Sequence, residues 1–133
     1  MLIETDVLLA LASREDKHHR EVVDFIKRSK ALSLSPYSLL EMDLLIKSGS
    51  IEVDVRAFYE SLTDLLEYYE IRVVEPHPSH FARAWILRRE YGMTYFDSLH
   101  ASVALLEGIP IVSYDEVYSG IKGVKRLRPE EVP

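Results

Sequence analysis

The strongest constraint on the fold is a repeated alternation between short apolar runs and longer segments with helical spacing. Runs of four or five residues rich in aliphatic and β-branched side chains predict strands at 2–6, 31–35, 71–74 and 110–113, and a fifth run lies at 124–127. A chain that returns to a strand after each long segment cannot be an all-helical bundle or a set of tight hairpins. It favours a layered α/β structure.

The segments between these runs carry apolar side chains three and four residues apart, the spacing of amphipathic helices. The predicted helical segments are a turn around Leu8–Ala12 and helices at 16–30, 36–47, 54–70, 79–91 and 94–107. Parallel strands need such long crossovers. We therefore expect one domain over residues 1–133, an α/β three-layer sandwich with a central parallel sheet of about five strands.

Composition excludes several classes of protein. Apolar residues make up 47% of the chain, too many for wholesale disorder, and the absence of cysteine excludes disulfides, zinc–thiolate sites and thiol nucleophiles. No segment reaches the ~18 uncharged residues of a membrane span, and no secretory leader is visible. We expect a soluble, cytoplasmic protein with no membrane partner. The net charge of −6 argues against a bare nucleic-acid binder unless a bound cation reverses the local sign.

Acidic residues occur where the predicted strands give way to helices. Glu4 and Asp6 close the first strand, and their spacing would place both on one face of it. Glu41 lies one turn beyond the second strand, Asp97 near a helix start and Asp115 two residues after the fourth strand. Because ligands bind at the carboxyl ends of parallel strands, we expect these carboxylates to meet in one crevice.

Such a cluster needs a compensating charge. Two carboxylates about 4 Å apart repel by ~4 kcal/mol at an effective dielectric constant of about 20. The cluster must therefore hold protons or a hard divalent cation. Carboxylate ligands without cysteine favour Mg²⁺ or Mn²⁺, and the chemistry natural to such a site is metal-assisted hydrolysis of a phosphodiester.

Each acidic residue also has a structural interpretation. Asp97 can belong to a capping box, Asp115 can start a turn and Glu41 can be a solvated helix charge. Glu4 is the hardest to explain in this way, because it interrupts an apolar strand that a parallel sheet would bury. His100 lies one turn after Asp97 and is assigned to packing or a surface hydrogen bond rather than to general-base catalysis.

The acidic segments resemble, in order, those of the PIN domain family, the fold of VapC-type toxin ribonucleases. The family's first strand is followed by Asp-Thr-x-Val-Leu, and this chain has I-E-T-D-V-L-L there. The later segments are S-P-Y-S-L-L-E-M, Y-F-D-S-L-H-A and I-V-S-Y-D. One position departs from the pattern: Glu4 stands where the family has aspartate, while Asp6 fills a variable polar position.

The resemblance implies a Mg²⁺- or Mn²⁺-dependent endoribonuclease that hydrolyses RNA, either as a VapC-like toxin or as an RNA-processing nuclease. It also implies a homodimer and an antitoxin protein as partner. By resemblance the catalytic residues are Glu4, Glu41, Asp97 and Asp115, and the metal ligands are these four with Asp6. The hydroxyls of Thr5 and Ser113 are candidate supporting groups that orient water or a carboxylate, with local hydrogen bonding to the backbone as the alternative.

The glutamate at position 4 leaves a second interpretation, a degenerate, non-catalytic PIN domain that binds RNA or another protein. A phosphatase whose first strand ends in Asp-x-Asp is disfavoured, because its nucleophilic aspartate would have to stand where this chain has Glu4. The sequence therefore carries two alternatives for function, an RNA-cleaving enzyme and a binding module.

Three other segments receive structural interpretations. The aromatic helix at 54–70 is mainly core, with an exposed remainder that could bury a dimer seam. The helix around Trp85 is expected to turn its apolar residues to the core and its arginines to the surface. A basic stretch near the end of the sequence is interpreted as a solvated tail rather than a track for the RNA backbone. It contains Lys122, Lys125, Arg126 and Arg128.

Overall fold

The computed structural model describes all residues from Met1 to Pro133 and contains six α-helices and five short strands. The strands are β1 (Leu2–Ile3), β2 (Ser33–Leu34), β3 (Arg72–Val73), β4 (Ile111–Val112) and β5 (Arg126–Leu127). The helices are α1 (Thr5–Ala12), α2 (His19–Arg28), α3 (Tyr37–Lys47), α4 (Val55–Tyr68), α5 (Pro78–Tyr91) and α6 (Tyr95–Glu107). Two 3₁₀ turns, Glu116–Gly120 and Pro129–Glu131, flank β5.

The strands form one sheet in the order β3-β2-β1-β4-β5, and every neighbouring pair is parallel. The predicted α/β sandwich with a five-stranded parallel sheet is therefore confirmed. The chain moves outward from β1 in one direction to β2 and β3, and returns on the other side of β1 as β4. This reversal of strand order marks the place where open parallel sheets bind ligands, at the carboxyl ends of the strands.

Apolar side chains fill both faces of the sheet because successive residues of a strand point to opposite sides. Ile3 of β1 packs with residues of α1, α2 and α4, whereas Leu2 packs with residues of α5 and α6. Helix α3 contributes to both layers, Met42 to the first and Tyr37 to the second. Buried on both sides, the sheet gives a fixed edge on which polar side chains can be placed.

The prediction that Glu4 and Asp6 extend the first strand was wrong. The strand ends at Ile3, and Glu4 instead occupies the N-cap of α1, where its carboxylate accepts a hydrogen bond from the backbone N–H of Asp6 at 3.3 Å. This cap starts the helix at Thr5 rather than near Leu8. Both acidic side chains still lie at the carboxyl end of β1, because an N-cap and the first helical turn are neighbours.

None of the helices is both long enough and apolar enough to cross a membrane.

Candidate active site

An acidic cleft of about 240 Å³ opens at the carboxyl edge of the sheet. Larger clefts lie elsewhere on the surface, but this one gathers acidic groups from four separate segments of the chain. All five acidic residues singled out from the sequence line it. The complete lining is Glu4, Thr5, Asp6, Leu9, Glu41, Leu45, Asp97 and Asp115.

On one side of the cleft, which we call the Ser113 side, two carboxylates share a single hydroxyl. The Oγ of Ser113 lies 2.8 Å from Oε1 of Glu4 and 2.8 Å from Oδ2 of Asp6. The backbone N–H of Tyr114 also donates to Oδ2 of Asp6, at 2.7 Å. Because one hydroxyl carries one proton, Ser113 can donate to only one of these carboxylates at a time.

The charge on the Ser113 side is poorly compensated. Only 5% of Glu4 is exposed, and burial raises the pKa of its carboxyl well above the ordinary value, with the nearby charge of Asp6 raising it further. The Oδ1 atom of Asp6 is buried and accepts no hydrogen bond. A buried carboxylate oxygen without a partner is unusual and indicates a place for a proton or a cation.

On the opposite side, which we call the His100 side, one carboxylate receives two donors. The hydroxyl of Thr5 donates to Oε1 of Glu41, and Nε2 of His100 lies 3.0 Å from the same oxygen. Burial alone would raise the pKa of Glu41, but these hydrogen bonds outweigh it and the pKa is lowered. Behind His100, its Nδ1 lies 2.7 Å from the Oγ of Ser35.

Asp97 and Asp115 complete the rim of the cleft. The hydroxyl of Tyr118 donates to Oδ1 of Asp97 at 3.4 Å, and no capping bond joins Asp97 to the N-cap residue Thr94. The pKa of the buried Tyr118 hydroxyl is raised by burial first and then by the charges of Glu4, Asp97, Asp6 and Asp115. The exposed Asp115 accepts the backbone N–H of Val117 at 3.0 Å, so it does initiate a turn, as its structural interpretation expects.

The oxygen donors of the cleft fit a hard divalent cation. Asp6 offers an unpartnered buried oxygen, Oε2 of Glu41 accepts no hydrogen bond from the protein, and Glu4 is in an environment that disfavours an uncompensated charge. Cysteine is absent, and the only nearby nitrogen ligand belongs to His100. This donor set matches Mg²⁺ or Mn²⁺ better than a soft metal.

Sequence reasoning missed the role of His100. The residue is fully buried, which agrees with packing and excludes a surface hydrogen bond, but its imidazole also bonds directly to Glu41. The available signal was its position three residues after Asp97, which puts both on one face of α6. The position of Glu41 on a different helix could not be read from that spacing.

The interpretation of Arg126 as part of a solvated tail was also wrong. Its side chain is only 8% exposed, and its guanidinium donates to the backbone carbonyls of Ser113 and Tyr114 at 3.0 and 2.9 Å. Because β5 lies beside β4, Arg126 reaches the loop that follows β4 and holds it in place. Arg126 therefore supports the position of Ser113 between the two carboxylates.

A model of the PIN domain matches residues 1–124 of the chain. The chain belongs to the PIN domain family. The resemblance seen in the four acidic segments is thereby confirmed, and the acidic cleft lies within the part of this PIN domain that the family model covers. No curated protein is similar enough in sequence to match the chain.

Solved structures share the PIN fold over nearly the full length of both chains. A VapBC2 complex from Rickettsia felis bound to a promoter DNA fragment superposes with a TM-score of 0.74, 13% identity and 96% coverage of each chain. A toxin–antitoxin complex from Klebsiella pneumoniae gives 0.68, 18% and 98% of each. VapC20 of Mycobacterium tuberculosis, described as a toxin that cleaves the sarcin–ricin loop, gives 0.68 and 19%, with 93% of this chain and 98% of that one covered. At these identities the likeness establishes the fold alone.

Proposed function

We propose that this PIN domain protein is an endoribonuclease of the VapC type that depends on Mg²⁺ or Mn²⁺. The observation that carries the proposal is the meeting of five carboxylates from four segments in one cleft at the carboxyl edge of the sheet. The names of the similar structures, which include toxin–antitoxin complexes and an RNA-cleaving toxin, support RNA as the substrate class and an antitoxin as the partner.

In this proposal Glu4, Asp6, Glu41, Asp97 and Asp115 hold the cation. The chemistry that a bound Mg²⁺ or Mn²⁺ supplies in such a site is activation of a water molecule and stabilisation of the leaving oxygen. The residues around the ligands have separate tasks. Ser113 and Thr5 orient the carboxylates to which they donate, and the buried Tyr118 donates its hydroxyl to Asp97.

The direct test is cleavage of a single-stranded RNA with and without Mn²⁺. We expect cleavage that requires the metal and that is abolished in Asp97→Asn, because the variant loses a charged ligand without losing volume. Asp64→Asn is the matched control, since Asp64 is an exposed acid of α4 outside the cleft. Equal activity of wild type and Asp97→Asn would assign any cleavage to another site or to a contaminant.

Metal binding can be measured without RNA. A cation that binds only the folded protein raises its melting temperature. We expect Mn²⁺ to stabilise the wild type and the Asp64→Asn control but not Asp97→Asn. A melting temperature that does not respond to saturating Mn²⁺ would remove the metal from the proposal and favour a non-catalytic PIN domain that binds RNA or protein.

Glu4 and Asp6 are the two candidates for the role of the family's first aspartate. If Glu4 is the main ligand, Glu4→Gln should reduce cleavage strongly, Asp6→Asn mildly, and Glu4→Asp should keep or raise the activity. The unpartnered Oδ1 of Asp6 supports the reverse assignment, in which Asp6→Asn is the severe change. The ranking of these three variants in Mn²⁺-dependent cleavage decides between the two assignments.

We further propose that the protein forms a twofold homodimer and binds an antitoxin. The expectation that the aromatic helix α4 is mainly core was wrong: only Leu62 is fully buried, and Phe58 and Tyr59 are partly buried against the first apolar layer. Contrary to expectation, Trp85 of α5 is 69% exposed. Its ring lies 5.0 Å from the guanidinium carbon of Arg88, which also stacks on Tyr95. We place the dimer seam on this aromatic surface, with the exposed face of α4 as the alternative.

Light scattering tests the dimer and its location together. We expect a dimer in the wild type and a monomer in Trp85→Glu. Tyr68→Glu is the control, because Tyr68 is 78% exposed on α4 and lies outside the α5 surface. A monomeric wild type at high concentration would contradict the dimer, and loss of the dimer in Tyr68→Glu alone would return the seam to α4.

A further inference from the structure

His100 is the buried residue of the site that the proposed chemistry has not yet used. It lies one turn after Asp97 on α6, has no exposed surface and is enclosed between the cleft and the carboxyl end of β2. Its two ring nitrogens face different partners. Nδ1 lies 2.7 Å from the Oγ of Ser35, and Nε2 lies 3.0 Å from Oε1 of Glu41.

The partners determine which nitrogen carries the proton. Ser35 is fully buried, and its hydroxyl has no contact at hydrogen-bond distance other than Nδ1 of His100. A buried hydroxyl proton needs an acceptor, so Ser35 donates to Nδ1. Nδ1 is then the acceptor, and the ring proton lies on Nε2, from which it is donated to Glu41.

This arrangement occupies one oxygen of Glu41 and leaves the other free. Oε1 accepts from both His100 and Thr5, whereas Oε2 accepts no hydrogen bond from the protein. Glu41 is part of α3, and the hydrogen bond from α6 fixes the rotation of its carboxylate about the last side-chain bond. Only Oε2 is presented to a cation in the cleft.

We propose that His100 is a positioning residue that, through the buried chain Ser35–His100–Glu41, holds Glu41 as a one-oxygen ligand for the divalent cation. The inference rests on the metal site of the proposed function. The competing geometry makes His100 itself a ligand: its Nε2 is 3.9 Å from Oε2 of Glu4, and Glu4, Glu41 and His100 each offer a ligand atom within 4.8 Å of the others. That geometry requires an unprotonated Nε2. The ring proton would then lie on Nδ1, and the Ser35 hydroxyl would have no acceptor.

Three substitutions of His100 separate these geometries. The amide nitrogen of Gln is as many bonds from Cβ as Nε2 of His, so His100→Gln keeps a donor for Glu41. His100→Asn places its amide nitrogen at the position of Nδ1, and His100→Leu has no donor. Mn²⁺ affinity is measured by calorimetry, and the melting temperature in EDTA reports the stability of each variant separately.

We expect Mn²⁺ to bind about tenfold or more weakly to His100→Leu and His100→Asn, the size of effect typical for residues that orient a ligand. His100→Gln should restore the Mn²⁺ affinity to within about threefold of wild type, because its amide N–H replaces the hydrogen bond that His100 donates to Glu41. Wild-type affinity in His100→Leu would overturn the positioning role while leaving the metal site intact. A wild type that binds no Mn²⁺ would overturn the proposed function, and this inference with it.

A measurement without metal tests the hydrogen-bond arrangement itself. Nitrogen NMR of the imidazole in EDTA should show a proton on Nε2 and none on Nδ1, and Ser35→Ala should disturb this tautomer. A proton on Nδ1 with none on Nε2 would overturn the inference and favour His100 as a ligand. Preferential binding of Zn²⁺ over Mn²⁺, lost equally in His100→Gln and His100→Leu, would have the same meaning.

Discussion

The two sides of the acidic cleft shift the pKa values of their glutamates in opposite directions. On the Ser113 side one hydroxyl lies at equal distance from two carboxylates, and the pKa of Glu4 is raised. On the His100 side two side chains donate to one oxygen of Glu41, and its pKa is lowered although it too is partly buried. Burial therefore does not decide the charge of these groups by itself. Glu4 is more deeply buried than Glu41 and lies beside the charge of Asp6, whereas the hydrogen bonds that Glu41 accepts from His100 and Thr5 outweigh its burial.

This contrast predicts that the two sides of the proposed metal site depend on a bound cation to different degrees. The His100 side is organised without a cation, because its donors already hold a charged carboxylate in place. The Ser113 side is under-compensated and has the most to gain when a cation binds. Substitutions on the two sides should therefore differ in sign, in size and in their response to metal.

The largest effect is expected from Glu4→Gln in metal-free protein. Folded Glu4 holds its proton more tightly than the unfolded chain does, so the wild type loses stability as the pH rises above the ordinary value of 4.5 toward the folded pKa. Each pH unit in that window is worth ~1.4 kcal/mol. Glu4→Gln removes the titration and should be more stable than wild type at neutral pH, with a difference that grows from pH 4.5 upward.

Urea unfolding in EDTA across this pH range measures the effect, and Glu41→Gln is its matched counterpart. The lowered pKa of Glu41 means that its charge stabilises the fold above pH 4.5 and that this contribution is lost as the pH falls through the folded pKa. Glu41→Gln should therefore be less stable than wild type at neutral pH, and the gap should close in acid. If both variants changed in stability in the same direction relative to wild type at neutral pH, the contrast between the two sides of the cleft would be wrong.

Ser113→Ala should give the next largest change. It removes the only side-chain hydroxyl that donates to either carboxylate of the Ser113 side and leaves Oε1 of Glu4 without a donor, which costs ~1–3 kcal/mol for a buried acceptor. The loss should be full in EDTA and smaller with saturating Mn²⁺, because the cation takes over the compensation. Thermal melts in both conditions provide the measurement, and an equal loss with and without metal would place the cation away from this side.

Thr5→Val should cost less, about 1 kcal/mol, because it deletes one of two donors to the same oxygen of Glu41 and keeps the shape of the side chain. His100 continues to hold the carboxylate. The same thermal melts compare it with Ser113→Ala. A larger loss in Thr5→Val than in Ser113→Ala would mean that His100 does not compensate and that the His100 side is the weaker one.

The smallest effect on stability is expected from Asp115→Asn. An amide oxygen can still accept the backbone N–H of Val117, so the free energy of unfolding should change by less than about 0.5 kcal/mol. Mn²⁺ affinity, measured by calorimetry, should nevertheless fall if this exposed carboxylate contributes charge to the site. An unchanged affinity would assign Asp115 to the turn alone.

The layered fold and the place of the site follow from local features of the sequence. Strand-like runs that alternate with amphipathic segments specify a parallel sheet between helices, because each element must bury its apolar face against another. The acidic residues at the strand ends then fall on one edge of the sheet, whichever helix each belongs to. That is why Glu41, Asp97 and Asp115 could be placed near one another without knowledge of their contacts.

Tertiary structure alone decided how the side chains of the site are paired. Ser113 and Glu4 are 109 residues apart, and His100 and Glu41 are 59 apart, so no local pattern relates their directions. The N-cap at Glu4 began α1 earlier than strand periodicity suggested, and the packing of α3 against α6 brought Glu41 to His100. Periodicity reports which face of an element is buried, whereas a hydrogen bond depends on the positions of two elements to within a fraction of an ångström, and only the packed fold sets those.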